Sequence, residues 1–147
     1  MPYRIPKEPP TDVECAYAAG IIDGEGCIYA RFRRDVPASH APVLTVRVAM
    51  IDPLVPARLK SWFGGSVILL RKERPCRDQY LWQIASFQAE QVLIAIKPWA
   101  ITKSKQIAIA LELRSMTRSS SHYKPVTESD QNLRIKLVND LKQAKRA

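Results

Sequence analysis

The sequence predicts an α+β domain, a four-stranded antiparallel sheet with helices on one face. Three observations carry that expectation. Strand-like runs occur in two pairs, Cys27–Arg34 with Val43–Ile51 and Ser66–Lys72 with Gln79–Ser86. Each pair is joined by a segment rich in proline or charge, as a turn requires. A stretch of helical periodicity precedes the first pair, and another follows each pair. The chain has 147 residues, the size of a single domain that buries a core without disulfides or a structural metal. The expected domain is 1–147, with its core over about residues 11–116.

The elements follow in order. Thr11 to Gly24 reads as the first helix. Thr11 can cap it, and Glu14 stands three residues on, the spacing of a capping box. Ala16, Gly20 and Gly24 recur every fourth residue and stack on one helix face. Two helical glycines cost about 1 kcal/mol each against alanine, and close approach of another helix would offset that cost. In Cys27–Arg34, Ile28, Ala30 and Phe32 alternate with Tyr29, Arg31 and Arg33, which gives a half-buried strand with a basic, aromatic outer face. Asp35–Pro42 is a turn or loop. In Val43–Ile51, Leu44, Val46, Val48 and Met50 share one face, and Thr45 and Arg47 share the other.

Asp52-Pro53 opens a helix that Gly64-Gly65 stops. Gln79–Ser86 carries Tyr80 and Trp82 on one face, read here as the outer face; Trp82 is core instead if the strand has a bulge. Phe87–Ile96 is a helix ended by Pro98. Thr102–Met116 is another, with Ile107, Ala108 and Leu111 as its buried stripe. Thr117–Pro125 is a polar linker. Ser129–Lys145 is a final amphipathic helix with Leu133, Leu137, Val138 and Leu141 on one side.

Composition narrows the function. Hydrophobic residues are 46% and charged residues 25%, which excludes general disorder. No apolar run reaches the ~20 residues of a membrane span, and Met1–Pro10 does not read as a secretory signal. Cys15, Cys27 and Cys76 form no C-x-x-C pair, so neither a disulfide framework nor a zinc site is expected, and a reducing, intracellular setting fits. The formal net charge is +9, unevenly spread. Residues 1–27 hold two basic and five acidic groups, residues 28–84 ten and four, and residues 85–147 eleven and five. Such a surface favours a polyanion, nucleic acid before membrane.

The most informative stretch is Ala18-Ala19-Gly20-Ile21-Ile22-Asp23-Gly24-Glu25-Gly26. It sets two carboxylates two residues apart where a helix is expected to break at glycine. Acids at a helix C-terminus oppose the macrodipole, so either a cation binds there or they form a solvated cap. Carboxylate oxygens, water and phosphate oxygens are the ligands magnesium prefers.

This stretch resembles the LAGLIDADG motif of homing endonucleases. Seven of its nine positions are identical or conservative; Ala18 replaces the first leucine, and Glu25 replaces the last acid. Pro98-Trp99-Ala100-Ile101-Thr102-Lys103-Ser104-Lys105-Gln106 resembles the basic stretch of the family's single-motif members. The resemblance covers about residues 11–116 and implies the αββαββα saddle-sheet fold with C-terminal helices appended.

The single motif implies a homodimer, with motif helices packed at the two-fold axis through Ala16, Gly20, Asp23 and Gly24. Glu25 matches the metal-binding catalytic acid. The Gly24 carbonyl would lie near the metal, and Lys103 matches the lysine facing the scissile phosphate. The implied cofactor is Mg2+ or Mn2+, with Ca2+ a non-cleaving substitute. The implied reaction is metal-dependent hydrolysis of both DNA strands across the minor groove, leaving 3′ overhangs. Relatives carry a polar group at the end of the second strand to order water; here that position is Met50, with Asp52 the only nearby substitute.

Recognition is expected from the outer sheet face, because a β-ribbon fits the major groove. The candidates are Tyr29, Arg31, Arg33, Thr45, Arg47, Tyr80 and Trp82, with Arg71, Lys72, Arg74 and Arg77 at the second hairpin tip. A strand of ~9 residues spans about 30 Å. At ~3.4 Å per base pair a dimer would read a nearly palindromic site of roughly eighteen to twenty pairs. The competing reading is a catalytically weak relative that binds DNA or, as a maturase, group I intron RNA. A plain protein-interaction domain would not explain the clustered arginines or the acids at the helix end.

Overall fold

A computed structural model describes residues 8–34, 41–119 and 127–146. The first helix, α1 (Asp12–Glu25), opens with the expected capping box. The Glu14 amide donates to the Thr11 hydroxyl at 3.2 Å, and the Thr11 amide donates to the Glu14 carboxylate at 2.9 Å. The helix does not break at Gly24. It runs through Glu25 and ends at Gly26, whose amide donates to the Ile22 carbonyl. A Cβ at Gly24 would meet nothing within 4 Å, whereas one at Gly26 would lie 2.6 Å from the Ile22 carbonyl oxygen. Gly26 is therefore where the chain needs a missing side chain to turn from helix into strand.

The sheet consists of β1 (Gly26–Arg31), β2 (Val43–Met50), β3 (Ser66–Leu70) and β4 (Gln79–Ala85). Its order is β1-β2-β4-β3 and every pairing is antiparallel. The helices are α2 (Leu54–Phe63), α3 (Ser86–Ile96), α4 (Ser104–Ser119) and α5 (Glu128–Arg146). The predicted α+β architecture is the one observed. Asp52 starts α2 by accepting the Leu54 amide at 2.7 Å. Pro53 stands just before the first helical residue rather than within the helix. Gly64 and Gly65 end it at φ 85° and 83°, values that side-chain-bearing residues rarely adopt.

The core lies between the sheet and the helices. Ile28, Ala30, Leu44, Val46, Val48 and Ile84 meet Ala18, Ala19 and Ile22 of α1, Leu59 of α2 and Leu93 and Ile96 of α3, all buried. Trp82 belongs to this core and not to the outer face. Its partner in β2 is Val48, which is fully buried, and the β2–β4 register runs unbroken from Thr45↔Ala85 to Met50↔Tyr80. No bulge is involved. The Trp82 indole N–H donates to the Gly64 carbonyl at 2.8 Å, and its ring lies 6.4 Å from that of Phe63. Tyr80, paired with Met50, is on the same helix-facing side. The phase of this strand was ambiguous because Leu81 and Trp82 are adjacent and both apolar; Leu81 is the one that points outward.

Two helical stripes also differ from expectation. On α4 the buried residues are Gln106, Ile107, Ala110 and Leu113, while Ala108 is exposed and Leu111 is half-buried. On α5 Leu133 is 38% exposed, and Arg134 takes its place beside Leu137, Val138 and Leu141. That set keeps the i, i+3, i+4, i+7 spacing, with the arginine stem serving as apolar surface. An ion pair between Arg114 of α4 and Glu90 of α3, 3.3 Å apart, ties these helices where Glu90 is 1% exposed. Thr117 to Ser119 are still helical; the rest of the predicted linker, residues 120–125, lies outside the described residues, as do residues 35–40 of the first turn.

Cys15, Cys27 and Cys76 are free thiols, and burial, reinforced by Asp12 and Glu14, pushes the Cys15 thiol pKa up. Among the described residues no helix is long and apolar enough to cross a membrane.

Trp82→Phe keeps most of the ring volume but leaves the buried Gly64 carbonyl without its donor. The expected loss is about 1–3 kcal/mol of unfolding free energy, read from urea denaturation.

Candidate functional site

The site is built where α1 ends and α4 begins. The last carbonyls of α1 and the first amides of α4 lack partners within their own helices. Each end supplies what the other lacks. The Asp23 carboxylate accepts the Ile101 amide at 2.8 Å through Oδ2 and the Lys103 amide at 3.0 Å through Oδ1. In return the Lys103 ammonium donates to the Asp23 backbone carbonyl at 2.9 Å. An acid thus stands at a helix N-terminus and a lysine at a helix C-terminus, the favourable sense for both dipoles. The Lys103 carbonyl accepts the Ile107 amide as α4 begins.

This arrangement separates the two acids of the motif. Residues two apart on a helix point to different sides. Asp23 is half-buried and committed to the α4 start, whereas Glu25 is exposed and makes no hydrogen bond or ion pair among the described residues. The acids are not a facing pair. The Asp23 carboxylate, which the resemblance puts at the helix contact and also in a helix-end structural role, is bonded to the start of α4 within its own chain.

Of the Ala16, Gly20 and Gly24 face, Ala16 is half-buried, and the two glycines are not covered by any described residue. Gly20 and Gly24 are exposed and a Cβ on either would meet nothing within 4 Å. Val13, one turn before Tyr17 and two turns before Gly20, is 79% exposed. Tyr17 is held edge-on against Trp62 of α2, with ring centroids 5.8 Å apart.

On the sheet's outer face, Tyr29 is the centre of a cationic cluster. The Arg31 guanidinium lies 4.9 Å from its ring centroid, that of Arg47 5.9 Å, and the Lys145 ammonium 5.5 Å. Such contacts position cations over an aromatic face without neutralising them. Lys145 also donates to the Cys27 sulfur at 2.8 Å, which brings the end of α5 to the β1 edge. Thr45 shares this face but is nine-tenths buried. Arg31, Arg33 and Arg34 are exposed around a cavity of about 700 Å3 that Lys142 also lines. At the other end of the sheet Arg71, Lys72, Arg74 and Arg77 are exposed in the β3–β4 turn, which closes where the Lys72 amide donates to the Asp78 carboxylate at 2.9 Å.

Sequence reasoning missed several outer-face residues. Ser66, Gln79 and Gln83 face outward because Tyr80 and Trp82 face inward; fixing the phase of β4 from the Leu81-Trp82 pair would have found them. Lys145 carries no local signal, since its place depends on how α5 packs. Met50 is half-buried against the core, and Asp52 is engaged at the start of α2.

For a cation, the chain offers an exposed carboxylate at Glu25 beside the Gly24 carbonyl, oxygen donors of the kind magnesium and calcium take. Among the described residues no group of three or more His, Cys, Asp or Glu side chains is placed to hold a metal.

No sequence-family model and no curated protein matches the chain. Solved structures do. The homing endonuclease I-CvuI, crystallised with its target in the presence of calcium, superposes with a TM-score of 0.72 at 16% identity, over 90% of this chain and 82% of that one. I-Vdi141I, an archaeal intron-encoded homing endonuclease complexed with DNA, gives 0.72 at 18% identity, over 90% and 84%. The homing endonuclease I-TnaI gives 0.66 at 16% identity, over 95% and 98%. The fold is that of the LAGLIDADG homing endonucleases.

Asp23→Ala removes the acceptor for two amides at the start of α4. The expected cost is about 2 kcal/mol of stability, with faster hydrogen exchange at the Ile101 and Lys103 amides than elsewhere in the fold.

Proposed function

We propose that this chain is a site-specific homing endonuclease that binds a long, nearly palindromic double-stranded DNA as a homodimer and cuts both strands in a divalent-metal-dependent reaction, leaving 3′ overhangs. One observation carries the reading. The reciprocal bonding of Asp23 and Lys103 leaves Glu25 as an uncommitted acid at the tip of a helix on which Gly20 and Gly24 have no partner among the described residues. The likeness in fold to homing endonucleases solved with DNA supports it. So does the match to only 47% of the length of the LAGLIDADG homing endonuclease I-LtrWI, which leaves room there for a second unit of this size.

In this reading the Gly20 and Gly24 face meets the same face of a second copy, and each copy brings one Glu25 to the centre of the duplex. Glu25 and the Gly24 carbonyl would hold Mg2+ or Mn2+, and Ca2+ would bind there without supporting cleavage. A divalent ion there supplies Lewis-acid stabilisation of phosphate charge and a more acidic bound water. Lys103, fixed by its bond to the Asp23 carbonyl, keeps about two further N–H donors for phosphate charge that grows during reaction. The cations around Tyr29 and those of the β3–β4 turn hold the duplex backbone or its guanines. An intracellular location suits the free thiols, and the whole chain, 1–147, acts as one unit.

A second reading rests on Met50, an apolar, core-packed side chain where relatives order water. It makes the protein a catalytically weak relative that binds DNA or intron RNA.

Cleavage selection on randomised palindromic duplexes separates the two. Wild type with Mg2+ is expected to cut a discrete site; Glu25→Gln is expected to bind that site with about unchanged affinity and cut at least ~100-fold more slowly. Discrete binding without cutting in any metal overturns the nuclease reading. Gly20→Leu is expected to fold normally, because its Cβ meets open space, yet to sediment as a monomer. A Gly20→Leu protein that remains dimeric overturns the proposed interface.

A further inference from the structure

We propose that the outer sheet face carries a strip of apolar side chains, Ile68 and Leu70 over a floor of Leu81 and Ala49, that selects thymine through its methyl group. The inference rests on the DNA-binding reading above and names the bases this chain prefers. The register places Leu81 between Ala49 of β2 and Ile68 of β3, with Leu70 opposite Gln79. These residues alternate with Val48, Trp82 and Val67, which face the helices, so the strip lies on the opposite side of the sheet from the core. Leu81 is only 2% exposed, while Ile68 beside it is 44% exposed.

An edge strand with exposed apolar residues is a liability unless it has a use. The strip is bracketed by charge. Arg47, with Gln83 and Ser66, forms the next outward row on one side, and Arg71, Lys72, Arg74 and Arg77 stand at the other end. That surround suits a polyanion. The apolar group that a DNA duplex displays in its major groove is the thymine C5 methyl, and apolar side chains are its partners. Gln79 beside Leu70 adds the side chain that pairs with adenine, so the same rows suit both halves of an A·T pair. Successive outward residues on a strand are ~6.6 Å apart, about two base-pair steps. Ile68 and Leu70 should thus impose thymine at two positions roughly two pairs apart in each half-site.

The test uses the full chain and duplex DNA, with Ca2+ to hold binding short of cleavage. Selection from a random library should enrich thymine at two such positions per half-site. Replacing those thymines by deoxyuridine, which removes only the methyl, should weaken binding about three- to tenfold per half-site. Ile68→Gln should abolish the preference for thymine over uracil at the one position Ile68 faces, while the preference at the Leu70 position and the salt dependence stay the same. Sequence-specific binding with no thymine enrichment, or equal affinity of wild type for thymine and uracil sites, overturns the strip and leaves the DNA-binding reading intact. No DNA binding at all overturns both. The wild-type uracil comparison decides the matter even if Ile68→Gln fails to fold.

Discussion

Two helix ends that satisfy each other hold the candidate centre together. Asp23 supplies acceptors to the amides that open α4, and Lys103 supplies a donor to a carbonyl that closes α1. Each of these groups would otherwise leave a helix terminus to water. The exchange fixes the direction in which α1 leaves the fold, and so where Glu25 stands. It also restrains the Lys103 ammonium near the same helix end. Gly26 completes the geometry, because the chain must enter β1 against the Ile22 carbonyl. The motif at 18–26 thus divides its labour: two glycines left exposed, one acid for architecture, one acid left uncommitted among the described residues.

The sheet makes a similar division across its two faces. The inward face is apolar and anchored by Trp82, whose single polar atom is satisfied by Gly64. The outward face gathers cations from β1, β2 and α5 around one tyrosine ring. Cation–π contact holds these cations without neutralising them. A carboxylate partner would fix the arginines more firmly but would cancel their charge.

Most of this architecture was legible in the sequence. Thr11 with Glu14, Asp52 with Pro53, and Gly64-Gly65 are local signals whose physics needs no tertiary information, and each marks its element. The alternation in Val43–Ile51 gave a single phase because Thr45 and Arg47 are polar. It failed in Gln79–Ser86, where Leu81-Trp82 offers two apolar neighbours and only pairing with Val48 decides between them. Leu133 and Arg134 misled for a related reason: an arginine stem can fill an apolar stripe, and hydropathy alone does not register it. At the site, the motif pointed to Asp23, Glu25 and Lys103. That Asp23 spends its carboxylate on residues 101 and 103, and that Lys145 reaches Tyr29, depends on contacts between distant segments and has no local signature.

The bonds from Asp23 to the start of α4 span 78 and 80 residues of chain. Closing so long a loop carries an entropic cost that local helix formation does not, and such distant contacts tend to slow folding. During synthesis α1 is made well before α4, yet the Asp23 carboxylate has neither of these partners until the chain has been made beyond Lys103. The Asp23 carboxylate is consequently fixed late, by the arrival of a segment some 80 residues further along the chain. A nascent or truncated chain lacking that segment has the motif but not its geometry.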